Sequence, residues 1–211
     1  YGGPILATFT DRDLSLAGRV VTRCDAGRNG YETRLVRFEK SVLRLPNAAI
    51  HLNREVNEKG LKLDKQDELP PILSALDEEL GAEQQFRRML ADKITVDAEQ
   101  ILAWDLAIYD TQPGQFFGPE QEFYADSQID NLASCHAALD ALLQVGLNDK
   151  GGVNVCAFFD HEEVGSTSSK GAASRFLPDI LERICAELTP QPDAYKRACA
   201  SSFMLSVDMT H

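Results

Sequence analysis

The 211 residues are 44% hydrophobic and 26% charged, and 33 Asp and Glu against 21 Lys and Arg give a formal net charge of −12. That balance is the one of a folded, soluble protein and excludes a disordered chain, a collagen-like chain and a disulfide scaffold. The acidic total argues against a nucleic-acid partner, and at roughly 100–200 residues per domain the length predicts one or two cores.

The charge is uneven. Residues 1–60 carry 10 Lys and Arg against 7 Asp and Glu, whereas residues 61–211 carry 11 against 26, a split that points to two parts with different roles. No apolar run approaches the ~20 residues that cross a bilayer, so no membrane partner is expected. The chain opens on Tyr1-Gly2-Gly3, without Met or a signal-type segment, which points to a start that is not the natural one. Five cysteines without CxxC spacing read as free thiols in a reducing, cytoplasmic compartment, with Cys135 and Cys156 in apolar stretches that would bury them.

Val20-Val21-Thr22-Arg23 and Tyr31 to Phe38 are β-rich runs around a segment ending in Asn29-Gly30, and Asn-Gly supplies the positive φ angles of a hairpin turn. Alternation breaks at Arg34-Leu35-Val36-Arg37, which points to a bulge or an edge position. Val42 to Leu45 is a short strand stopped by Pro46. Ala48 to Leu52 is helical or extended, Pro70 to Leu76 opens a helix with Pro in its first turn, and Phe86 to Leu90 is a second short helix. Ile101 to Tyr109 alternates through Leu102, Trp104, Leu106 and Ile108 as a strand. Gln112 to Pro119 is a loop and the candidate domain border. Beyond it, Asn131 to Val145 and Phe176 to Leu188 are helices. Val153 to Phe159 and Phe203 to Val207 are apolar runs suited to strands covered on both faces. Helix, strand, helix, strand predicts an α/β fold with a parallel sheet.

In that reading Asp160-His161-Glu162-Glu163 follows one strand, Asp208 follows the next, and Asp130 precedes a helix. Open α/β sheets bind ligands beyond the carboxyl ends of their strands, so three segments would deliver acids to one edge. Converging carboxylates repel unless protonated or neutralised by cations, and a metal site answers that problem. Each residue alone has a plainer reading. Asp130 suits a helix N-cap, Asp208 a polar strand end, and Glu78-Glu79 elsewhere shows a Glu pair on a solvated face. Adjacent glutamates beyond a strand point differently, so one can bind metal while its neighbour reaches the water that the metal activates. A carboxylate shared by two metals about 3.5–4 Å apart, as in dinuclear aminopeptidases, is a natural role for Asp130.

Five blocks in register carry a further signal. Phe9-Thr10-Asp11-Arg12-Asp13-Leu14-Ser15-Leu16-Ala17-Gly18-Arg19-Val20, Ala49-Ile50-His51-Leu52-Asn53-Arg54, Ile129-Asp130-Asn131-Leu132, Asp160-His161-Glu162-Glu163-Val164-Gly165-Ser166 and Ser206-Val207-Asp208-Met209-Thr210-His211 together resemble the aspartyl aminopeptidase family of zinc exopeptidases. The resemblance implies a β-rich inserted dimerisation domain over residues 1–124, incomplete at its N-terminus, and part of an α/β/α catalytic domain over 125–211. It implies removal of N-terminal Asp or Glu from peptides with two zinc ions per active site. Asp130 would bridge both metals, Glu163 and Asp208 would each bind one, and Glu162 would be the general base. His51 would help shape a neighbouring subunit's substrate pocket, and subunits would assemble into dimers and dodecamers.

The match has gaps. The family's first metal histidine lies in a His-Thr-Asp motif before the dimerisation domain and its last in a downstream His-Pro-Asn-Tyr stretch; neither occurs here. His51, His136, His161 and His211 offer no substitutes; for His161 the readings are an orienting role beside the base or a solvated loop position. The chain therefore reads as the middle of a longer enzyme. The alternative is a catalytically incomplete fragment or paralogue that only oligomerises through residues 1–124, and a dinuclear hydrolase of another specificity is disfavoured by His51. Asp11-Arg12-Asp13 either contacts the active site or forms ion pairs that fix a strand turn. Gly165 to Gly171 only loosely resembles a phosphate-binding loop, lacks the GxxxxGK[ST] form, and reads as a loop leading into a helix.

Overall fold

The computed structural model describes residues 3–75, 79–145 and 152–209. The chain divides into two compact units, one spanning Ile5–Gln115 and the other Tyr1–Pro4 with Phe116–His211.

The first unit is built on strands β1 (Leu14–Arg23), β2 (Tyr31–Arg37) and β3 (Ile101–Asp110), with the short helix α1 (Val56–Lys59) and the longer α2 (Ala82–Ile94) between β2 and β3. The strands form one antiparallel sheet in the order β2-β1-β3. The β1–β2 reversal uses the expected residues: Asn29 has φ 64° and Gly30 φ 81°, and Arg23 pairs with Tyr31. Pairing of β1 with β2 runs without a break from Ala17↔Arg37, so the broken alternation in β2 marks an edge strand. The register shift lies instead between Val21 and Thr22, against β3.

One face of this sheet meets α2. Val20, Val36 and Ile101 are buried with Leu90 and Ala91, and Phe86 packs edge-on against Trp104 with ring centroids 5.4 Å apart. Phe86, Met89, Leu90 and Ile94 recur at the three- and four-residue spacing that makes one helical face apolar, so the helix extends well beyond the Phe86–Leu90 stretch expected. A second cluster joins Leu14 and Leu16 to Leu43 and Leu45.

Two expectations are corrected here. Val42–Leu45 is no ladder strand; it makes isolated bridges, Leu43 to Leu14 and Arg44 to Ile72. The segment from Pro70 is extended and non-helical: Ile72 N–H donates to the Arg44 carbonyl at 2.8 Å and Arg44 N–H returns the bond at 3.0 Å. The reason is the Pro70-Pro71 pair, because a following proline pushes a residue out of the helical region. Leu76, the end of that expected helix, and Glu78 lie outside the described residues. Residues 50–55 form turns.

After the division comes the two-stranded ribbon β4 (Gln115–Phe117) and β5 (Phe123–Ala125), with Phe117 stacked on Phe123 at 5.2 Å. Three helices follow, α3 (Ile129–Val145), α4 (Phe176–Leu188) and α5 (Ala194–Ser201), the last in contact with α4 and not anticipated. Phe159 meets Phe176 of α4 edge-on, at 6.4 Å. The stretches 153–159 and 203–207, expected as buried parallel strands, pair with nothing among the described residues. Phe203 is 89% exposed and Val153 63%. A strand exists through its hydrogen-bonded neighbour, and neither apolar run provides one for the other. No helix among the described residues is long and apolar enough to cross a membrane.

The first unit should depend on the α2–sheet contact. Leu90→Ala, at a fully buried position, should cost about 2–5 kcal/mol in urea unfolding. Leu35→Ala, where the side chain is 86% exposed, should stay within about 0.5 kcal/mol. Equal effects of the two would contradict this packing.

Candidate metal-binding carboxylates

Glu162 and Glu163 occupy a single 3-10 turn, Glu162–Val164, in a loop whose ends are tied together. Asp160 N–H donates to the Lys170 carbonyl at 3.1 Å, Gly165 N–H to Glu162 at 2.9 Å, and Ser166 N–H to His161 at 2.9 Å. Ala173 N–H then donates to the Ser166 carbonyl at 3.1 Å. Gly171 is required at this closure, because a Cβ there would lie 2.1 Å from the Ser166 oxygen. His161 Nδ1 lies 2.6 Å from Ser168 Oγ. Both glutamates are exposed, and neither makes an ion pair or hydrogen bond through its carboxylate among the described residues.

Asp130 stands at the start of α3 in non-helical geometry, φ −80° and ψ 111°, and the peptide joining it to Asn131 is cis. Its carboxylate is exposed and, among the described residues, caps no amide, so the N-cap reading is not the one the structure adopts. Asp208 is exposed near the end of the extended 202–209 stretch and accepts the Met209 N–H at 2.7 Å. His51 lies exposed in a turn of the first unit. His136 is exposed on α3, and His211 lies outside the described residues.

These acids match zinc in kind. They are oxygen donors left without a protein cation. They do not match it in number: among the described residues no group of three or more His, Cys, Asp or Glu side chains is placed to hold a metal ion, whereas zinc takes about four donors. The structure thus keeps the adjacent pair Glu162 and Glu163 on one turn and does not assemble a shell from Asp130, Glu163 and Asp208. All five cysteines are free; Cys135 and Cys156 are half-buried, less enclosed than their apolar surroundings implied.

Asp11-Arg12-Asp13 makes the ion pairs of its structural reading. Arg12 pairs with Asp110 at 2.9 Å and Arg44 with Asp13 at 3.0 Å. Asp11 accepts Asn47 N–H at 3.1 Å and the Asn47 side-chain amide at 2.9 Å. These bonds, first the backbone one and then the side-chain one, with Arg44 adding to them, hold the Asp11 carboxyl below the usual aspartate range. The network fastens the start of β1 to the 44–47 segment and to the end of β3. Ser168 was not singled out by sequence; a serine in a run of small polar residues carries no signal of which ring it meets.

The sequence profile of the family described as "Aminopeptidase I zinc metalloprotease (M18)" matches residues 1–211. A relative from Clostridium acetobutylicum, "Probable M18 family aminopeptidase 2", is 38% identical over 213 residues that cover 100% of this chain and 48% of its own. The chain spans about half the length of the curated relatives it matches. Among solved structures, one of the Ape4 and Nbr1 complex superposes with a TM-score of 0.86 at 32% identity, covering 100% of this chain and 43% of that one. The mApe1 dodecamer of S. cerevisiae superposes with a TM-score of 0.76 at 22% identity, covering 100% and 47%. These likenesses give the chain the α/β exopeptidase fold of the M18 aminopeptidases.

The Asp11 network has a pH signature. A carboxyl with a depressed pKa in the fold adds stability above the usual aspartate range, and loses it as pH falls through the lowered folded value. An NMR titration should place the Asp11 midpoint below that of a free aspartate, and Asn47→Ala should raise it. Asn47→Ala keeps the backbone bond, the larger cause, so the rise should be partial, and an unmoved midpoint would refute the share assigned to the side-chain amide.

Proposed function

The chain belongs to the M18 family of zinc metalloproteases, and from that premise we propose that the protein is a zinc-dependent aminopeptidase that removes an N-terminal Asp or Glu from peptides. In this proposal Asp130, Glu163 and Asp208 would hold two zinc ions, Asp130 being shared between them, and Glu162 would be the general base. His51 contributes to the substrate pocket of a neighbouring subunit. Residues 1–124 are the dimerisation domain and 125–211 part of the catalytic domain. Protomers self-associate, by analogy with the mApe1 dodecamer. The free cysteines fit a cytoplasmic setting.

The observation that carries the proposal is the Glu162–Glu163 turn. Two carboxylates are held next to each other by backbone bonds and left without a cation among the described residues. Zinc supplies Lewis acidity to such a site. The chain's own part is proton handling. Glu162, one residue from the proposed ligand and fixed to the same turn, takes the proton from the attacking water at a carboxylate oxygen and returns it to the leaving amine. A role as base requires that Glu162 stay out of the metal shell, which its neighbour Glu163 makes possible by occupying it instead.

The test is Glu162→Gln in the intact protein. The change keeps the shape of the side chain and removes its basicity. Turnover of Asp- and Glu-terminal peptides should fall by at least about 10²-fold while zinc content is unchanged. Turnover close to that of the unmodified protein would refute the assignment of the base.

A further inference from the structure

The loop that carries Glu162 and Glu163 is closed by side chains as well as by backbone. Ser168 Oγ accepts the Lys170 N–H at 3.3 Å and lies within hydrogen-bond distance, 2.6 Å, of Nδ1 of His161. His161 holds left-handed backbone geometry, φ 65° and ψ 29°, uncommon for a residue with a Cβ. Its carbonyl accepts the Ser166 N–H at 2.9 Å and the Val164 N–H at 3.4 Å, and the Gly171 N–H donates to the Ser168 carbonyl at 3.0 Å. Ring and carbonyl of His161 are therefore both held by the far side of the loop, and the two residues that follow His161 are the glutamates.

We propose that His161 and Ser168 are positioning residues for Glu162 and Glu163: their hydrogen bond spans the loop and, through the left-handed backbone of His161, sets the direction in which the two carboxylates leave the turn. This rests on the reading of Glu162 as base and Glu163 as ligand. Neither His161 nor Ser168 touches the reacting atoms. The side-chain tie acts together with the carbonyl bonds from Val164 and Ser166 to hold His161 in left-handed geometry. Losing the tie weakens that hold, and the peptide that begins the Glu162–Val164 turn can then rotate while the bonds at Gly165 and Asp160 keep the loop closed in outline. A displacement of about 1 Å in a catalytic group costs on the order of 10²-fold in rate, so a small rotation at His161 has a large kinetic effect.

The experiment compares Ser168→Ala, His161→Ala and the double variant in the intact zinc protein, with Ser168→Thr and His161→Asn as conservative controls. The expected result is a fall in kcat of about 10–100-fold in either Ala variant, with KM nearly unchanged. The double variant falls no further than the single ones, because a pair that acts together is lost once. Ser168→Thr restores most of kcat by keeping the hydroxyl, and His161→Asn restores part of it. Zinc affinity, measured by chelator competition, weakens in Ser168→Ala by about tenfold, since Glu163 leaves the same turn. Amide hydrogen exchange at Ser166 and Gly171 accelerates in Ser168→Ala and not in Glu162→Gln. Unmodified kcat and zinc affinity in Ser168→Ala overturn the positioning role, and so does a double variant whose loss is the product of the single losses. Retained turnover in Glu162→Gln fails the base assignment separately, and the zinc affinity of Ser168→Ala then decides whether the tie still orients Glu163.

Discussion

Two carboxylates on consecutive residues leave the backbone in different directions, and those directions are fixed only where something holds the backbone beneath them. In this chain that something is the closure of residues 160–173. Asp160 is tied to Lys170, Ser166 to His161 and Ala173 to Ser166, and Gly171 permits the strands of the loop to approach within a distance that no Cβ would tolerate. The turn at Glu162–Val164 is thus imposed from outside. It does not arise from helix propensity, since three residues cannot nucleate a helix on their own. The loop leads directly into α4, and the Phe159–Phe176 contact anchors its two ends to each other.

What the sequence made legible depended on how local the cause was. The Asn29-Gly30 reversal is written in two residues, and α4 begins and ends where its apolar spacing does. The Pro70-Pro71 segment departs from the expected helix because, although proline is common in a first helical turn, two prolines in succession force the first of them out of the helical region. The apolar runs at 153–159 and 203–207 have strand composition, but a strand is a property of a pair, and composition does not supply the partner. At the site, the adjacency of Glu162 and Glu163 was visible from residue order. The contact of His161 with Ser168 was not, because it depends on how the chain folds back on itself between two residues seven apart in sequence.

Charge takes its meaning from the same local view. The excess of acids after residue 60 is spread over exposed helix faces as well as the proposed site, and Arg175 with Asp179 or Arg197 with Asp193 shows ordinary surface pairing. Glu162, Glu163 and Asp130 have no such pairing among the described residues, as is also true of exposed acids such as Asp92 and Glu99. By contrast the acids of Asp11-Arg12-Asp13 are engaged by Asn47 and Arg44 and serve to fasten strands. A motif rich in charge is structural where each charge has a partner.

The most direct measurement of the account is anomalous diffraction at the zinc edge on crystals of the intact, zinc-loaded protein. Two zinc peaks are expected at the carboxylates of Asp130, Glu163 and Asp208, with Asp130 touching both and the Glu162 carboxylate outside coordination distance. Zinc bound to Glu162, or zinc bound away from Asp130 and Glu163 altogether, would contradict it.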